Sequence, residues 1–202
     1  MIDILRIDTD EADSEERIEN LINWEAREDA AVETAVKTIV ERVRSDGDRA
    51  LIVLTAEYDD FSVTSMERLM ISSGRCREAY ESLIDSDKKA LDDAAVRIRL
   101  FHEEQTDESF EMQDKLGNIL GYRVTALQHV GVYVPGGQAA YPSTVLMTVI
   151  PARIAGVREI TAVVPTPKGE CNQHVLASMH LAGVDHVYAI GGAQAIAALA
   201  YG

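Results

Sequence analysis

Cysteine is scarce: of 202 residues only Cys76 and Cys171 are thiols, far apart and in no CxxC pair. A disulfide scaffold is therefore excluded, and the pair suits a reducing cytoplasm. Basic residues are also few, 19 against 34 acidic ones, a net charge of −15. That balance disfavours nucleic-acid backbones and anionic membranes as partners. No membrane span is expected either. The longest uncharged stretch, residues 124–152, is interrupted by Pro135, Gly136, Gly137, Gln138 and Pro142. The opening MIDILRIDTDEADSEE lacks both the basic start and the apolar run of a signal peptide. Neither GxGxxG nor a P-loop occurs. What remains is globular composition, 47% hydrophobic and 26% charged, with length enough for one large or two small domains.

The halves differ in chemistry. Residues 1–117 carry 31 acidic and 15 basic side chains, whereas 118–202 carry 3 and 4, with all five prolines and ten of thirteen glycines. The first half reads as helices. Ile18, Leu21 and Ile22 mark one apolar face. Val32, Ala35, Val36, Ile39, Val40 and Val43 repeat with a helical period that ends near Gly47. Asp48 is placed to cap the next helix, with Leu51, Leu54 and Tyr58 inward. Ser86 opens another, carrying Leu91, Ala94, Ala95, Ile98 and Phe101. Acidic runs between these positions read as solvated faces.

The second half alternates. Apolar, β-branched runs at 130–134, 160–164 and 186–190 predict strands, and helices are expected over 144–155, 172–182 and from Ala193. Gly156 and Gly183 stand where helices stop. Continuous apolar strands spaced in this way indicate βαβ units and a parallel sheet buried on both faces. The predicted class is α/β, a helix-rich N-terminal region followed by a Rossmann-like parallel-sheet domain. Expected boundaries are a tail at 1–25, a mostly helical portion at 26–129 and the sheet domain at 130–202.

In such sheets ligands sit beyond the carboxyl ends of the strands. The loops PGGQAAYPS and GGAQA fall there, and glycine lets backbone N–H groups approach a phosphate. The plain alternative is that they only turn the chain. His174 and His180, six residues apart, face different sides of a helix, and His186 begins a strand, so the three are not expected to share a metal. His102 reads as exposed and His129 as a hydrogen-bonded core residue. Ser143 reads as a helix cap. No cysteine has a paired histidine that would mark a catalytic thiol.

The run GVYVPGGQAAYPSTVLMTVIPARIAGVREI, continuing to AGVDHVYAIGGAQAIAALAYG, resembles the histidinol dehydrogenase family. The resemblance is specific over residues 129–202 and weaker over 26–105. It implies an aldehyde-dehydrogenase-like fold and a cytoplasmic homodimer. It also implies oxidation of L-histidinol through the aldehyde to L-histidine, with NAD and a bound zinc ion. By position, Tyr133 and Gln194 match the family's NAD-binding tyrosine and glutamine, and Pro135 matches a residue lining the same cleft. The family's zinc ligands, acid/base pair and substrate residues follow the GGAQAIAALAYG motif, so none is expected among these residues. The chain is thus expected to be an N-terminal portion, incomplete at its C-terminus and inactive alone. Two other readings stand beside this one: a fragment of an aldehyde-dehydrogenase-like or acyl-phosphate-reducing enzyme, and a non-catalytic nucleotide-binding module.

Overall fold

The computed structural model describes residues 6–22, 30–136 and 140–201, so Gly137, Gln138 and Gly202 lie outside the described residues. Two compact units are distinguished, Met1–Glu41 and Arg42–Gly202. In the first lie α1 (Ser14–Ile22) and the start of α2 (Ala30–Asp46). Arg17 of α1 reaches back to the segment before it, donating to Glu11 Oε2 at 2.5 Å and to the Arg6 carbonyl at 3.0 Å. Ile18, Leu21, Val32 and Val36, apolar by pattern, are exposed.

In the second unit Gly47 adopts a φ of 55° and precedes α3 (Asp48–Asp59). Asp48 is therefore the first helical residue and not the cap expected of it. Leu51 and Leu54 are buried as the period predicted, but Tyr58 is exposed. A two-residue strand, β1 (Met70–Ile71), leads into α4 (Ser73–Glu81), which Ser72 caps by accepting from the Arg75 N–H at 3.2 Å. Next comes α5 (Asp85–Glu103). It starts after Ile84, so Ser86 lies inside it and does not open it. Of its predicted inner face Ala95 is buried, Leu91, Ala94 and Ile98 are half-buried, and Phe101 is exposed.

A hairpin follows that the helical reading of this half did not foresee. β2 (Phe110–Gln113) pairs antiparallel with β3 (Ile119–Tyr122). Its turn is tied by Asp114 Oδ1, which accepts from the N–H groups of Leu116 at 2.8 Å and Asn118 at 2.9 Å. All eight strand residues are exposed.

The remainder alternates as predicted: β4 (His129–Tyr133), α6 (Pro142–Ile154), β5 (Glu159–Val163), α7 (Gln173–Ala182), β6 (His186–Tyr188) and α8 (Gly192–Tyr201). Tyr141 caps α6, with Pro142 in the first turn, where a missing N–H leaves no bond unmade; Ser143 is not the cap. The sheet has the order β1-β6-β5-β4. β4, β5 and β6 are parallel, and β1 joins β6 antiparallel. The protein is mixed α/β around a largely parallel sheet.

Alternation along β5 sets the two faces. Ile160, Ala162 and Val164 join Val145, Val149 and Ile150 of α6 and Val175 and Met179 of α7 in the main core. Val163 faces the other way, into a smaller cluster with Leu69, Ile190 and Ala195, against which Tyr133 and Leu199 pack. Gly131 in β4 makes room there, since a Cβ would lie 2.8 Å from the Leu199 methyls. Both faces are covered, as a parallel sheet requires.

Candidate functional site at the carboxyl edge of the sheet

Parallel pairing brings the segments after β4, β5 and β6 to one edge. The ladder runs one residue past the strands: the Val134 N–H donates to the Val163 carbonyl at 2.9 Å, and the Val164 N–H to the Tyr188 carbonyl at 3.0 Å. Beyond these bonds the loops crowd around Pro165. A Cβ on Gly136 would fall 2.5 Å from the Pro165 carbonyl oxygen, and one on Gly191 would fall 2.6 Å from Pro165 Cβ. Only glycine fits at either place.

The structure brings two of the predicted residues to one point. Tyr133 ends β4, and its hydroxyl accepts the Gly192 N–H at 3.2 Å. Gly192, with a φ of 64°, opens α8. Gln194 lies in the first turn of that helix, 1% exposed, its Oε1 2.6 Å from where a Cβ on Gly192 would stand. Among the described residues its amide Nε2 is buried with no hydrogen-bond partner, as are Thr166 Oγ1 in the loop after β5 and, outside the edge loops, Thr55 Oγ1 and Asp59 Oδ2 of α3. Buried polar groups are nearly always paired, so each of these atoms has room for a water or a ligand atom as its partner. Pro135 follows in the loop after β4, half-buried.

On the α6–α7 side of the same edge lies a cavity of about 430 Å³, reaching from Gly136 and Pro165 to Glu170, Cys171 and Asn172. Asn172 caps α7, its Oδ1 accepting from the N–H groups of His174 at 2.9 Å and Val175 at 3.3 Å. Burial pushes the Cys171 thiol up to about 11, against the pull of Arg75. A thiol so high carries little thiolate at neutral pH, which suits packing and not nucleophilic attack. Sequence reasoning missed Thr166 and Glu170. Asn172 alone had a readable signal, a capping residue directly before a helical period.

The histidines separate as expected. His174 Nε2 lies 2.8 Å from Asp87 Oδ2, and the His180 ring packs on Tyr80 with centroids 5.6 Å apart. His186 is 3.1 Å from Glu159 Oε1 at the opposite edge of the sheet. His129 differs from expectation. It is exposed and stands 3.0 Å from Glu159 Oε2, because it is the first residue of β4 and clear of the core. His102 is half-buried, with Nδ1 2.8 Å from the Ile98 carbonyl oxygen.

Two implied cofactors fare differently. The orphaned Gln194 donor at the carboxyl edge fits a dinucleotide there. Zinc finds no fit: among the described residues no three His, Cys, Asp or Glu side chains gather as a ligand set. No helix among them is long and apolar enough to cross a membrane.

The pattern shared by histidinol dehydrogenases matches residues 23–202. A histidinol dehydrogenase of Psychrobacter arcticus is 48% identical over 197 residues, covering 98% of this chain and 46% of the relative. One from Pseudomonas syringae pv. tomato is 45% identical over 199 residues, covering 98% and 44%. The chain thus spans less than half the length of these curated relatives. The crystal structure of histidinol dehydrogenase from Elizabethkingia anophelis superposes with a TM-score of 0.77 at 31% identity, covering 84% of this chain and 39% of that one.

Proposed function

Because this chain belongs to the histidinol dehydrogenase family, we propose that its carboxyl edge binds NAD for the oxidation of L-histidinol through histidinal to L-histidine. The observation that carries this reading is Gln194, a buried amide whose Nε2 has no partner, one turn into a helix whose first N–H is held by Tyr133. In water such a donor would be satisfied; buried and unpaired it is destabilising unless a ligand supplies the acceptor.

NAD, when bound, supplies the hydride acceptor. The chain's own contribution is binding and orientation. Gly136 and Gly191 let the loops after β4 and β6 close on Pro165 and shape this edge. Tyr133 fixes the start of α8, Gln194 donates, and Pro135 walls the cleft. In this reading residues 130–202 are the cofactor domain, with 26–129 a mostly helical portion and 1–25 a tail. Kinship with the family also supports zinc use, a homodimer and a cytoplasmic setting, each a proposal.

The test is direct binding. Saturation-transfer difference NMR on the 202-residue chain with NAD should show transfer to both nucleotide halves, weakened by Gln194→Met. Absence of transfer at millimolar NAD would overturn the reading.

A further inference from the structure

The end of α3 is arranged against its own electrostatics. A helix carries partial negative charge at its carbonyl end, yet α3 finishes on Asp59, Asp60 follows, and its last turn holds no basic residue. Asp59 Oδ2 is buried without a hydrogen-bond partner, and burial raises its carboxyl above the usual range. One turn earlier Thr55 is fully buried, and its Oγ1 is unpartnered too. A helical threonine can return its hydroxyl to the carbonyl four residues back. Thr38 and Thr148 do so, at 2.9 and 2.7 Å. Thr55 does not.

Positions 55 and 59 share one face of α3, and a side chain at the later position leans back over the earlier one. A hydroxyl and a carboxylate oxygen are thus stacked on one buried face, beside a helix end whose last carbonyls lack helical N–H partners. The candidate partner on the neighbouring turn is Lys168, since α3 packs against residues 167–169. Lys168 is exposed and forms no ion pair with Asp59 among the described residues. The donor set is therefore all oxygen and carries one negative charge. A transition metal would call for imidazole or thiolate, which this end of the helix lacks. A divalent ion is held by several carboxylates, or by one or two with substrate phosphates.

We infer that the end of α3 holds a monovalent hard cation, of the class of Na+ or K+, between Thr55 Oγ1 and the Asp59 carboxylate. Carbonyl oxygens of the last turn and water complete its shell. The ion balances the one buried charge, which is costly to leave alone, and opposes the negative end of the helix. This site is independent of the dinucleotide reading.

The experiment follows thermal unfolding of the full 202-residue chain in NaCl, KCl and choline chloride at one ionic strength. General screening of a net charge of −15 is then the same in all three. The melting temperature should stand higher in Na+ or K+ than in choline, by about 3–6 °C at ten times the dissociation constant of the ion. Thr55→Val keeps the shape and the net charge and removes the hydroxyl; Asp59→Asn removes the charge. Each should abolish most of the difference between salts. Asp59→Asn should also raise the melting temperature in choline, where the buried charge has no counterion. Broadening of the 23Na NMR line gives a second reading, expected with the wild type, reversed by excess K+ and reduced in Thr55→Val. Equal melting temperatures in the three salts would overturn the inference and leave water or a proton as the partner of these oxygens. An ion effect that Thr55→Val keeps in full would overturn it as well, because it would come from the surface charge.

Discussion

The Tyr133 hydroxyl at the end of β4 and the Gly192 N–H at the start of α8, which follows β6, a strand that is not a neighbour of β4 in the sheet, are joined by a 3.2 Å hydrogen bond. Tyr133→Phe removes the acceptor while keeping the ring. We expect a loss of about 0.5–1.5 kcal/mol in urea unfolding and weaker NAD binding, read by the same NMR titration. An unchanged unfolding midpoint would show that water replaces the phenol at no cost.

Gly191 is constrained by contact and not by an unusual φ. A Cβ there would stand 2.6 Å from Pro165 Cβ. Gly191→Ala should destabilise by about 1–3 kcal/mol through overpacking, lowering the melting temperature by several degrees. Gly74, in α4, is the control, since its nearest neighbour to a new Cβ is 3.8 Å away. Gly74→Ala should be neutral or stabilising by up to about 1 kcal/mol.

Gln194 separates stability from binding. Gln194→Met keeps the length of the side chain and deletes the orphaned donor. Relieving a buried, unpaired group is expected to raise stability by about 1 kcal/mol, measured by calorimetry, while NAD binding falls. A variant that lost both stability and binding would indicate that Gln194 is a packing residue with a partner in solution.

Asp185 predicts an acid-sensitive joint. Its carboxylate accepts from the Ile160 N–H at 2.7 Å and pairs with Arg153. Arg153 also donates to the Gly183 and Arg158 carbonyls, closing the end of α6 onto the start of β6. Burial opposes ionisation of Asp185, but the Ile160 N–H and the Arg153 guanidinium outweigh it and hold the carboxyl below the usual range. A lowered folded value means stability that is present above the unfolded value of about 3.9 and lost as pH falls through the folded one. Asp185→Asn should cost about 1–2 kcal/mol at pH 7, allowing for its partial exposure. That difference should shrink below about pH 4 in paired urea titrations.

The parallel half was legible because its strands are covered on both faces, so they read as unbroken apolar runs closed by Gly and Pro. Its loops could be placed on one edge by the same logic, but Tyr133, Pro135 and Gln194 came from the family resemblance. β1 was not legible: Met70–Ile71 is too short to show a period. The hairpin hid for a different reason. FEMQ alternates over only four residues and ILGY does not alternate at all, and neither face of the hairpin is buried. Helix starts slipped by one or two residues at Asp48, Ser86 and Ser143, where Gly47, Ile84 and Tyr141 cap without a side-chain bond. Ser72 and Asn172 do cap with their side chains. Tyr58 and Phe101 keep the helical period yet are exposed, since period reports which face is apolar and not whether anything covers it.

The strand order β1-β6-β5-β4 also sets an order in time. β4, β5 and β6 follow one another along the chain and sit side by side, so each can add to its predecessor as soon as its helix forms. Of the four strands in this sheet β1 is made first but pairs with β6, the fourth along the chain, so Met70 must wait for Tyr188. A loop that long closes late. The Ala189 N–H, bonded to the Leu69 carbonyl at 2.7 Å, is therefore expected to gain protection last in pulse-labelled refolding, after the amides of β5.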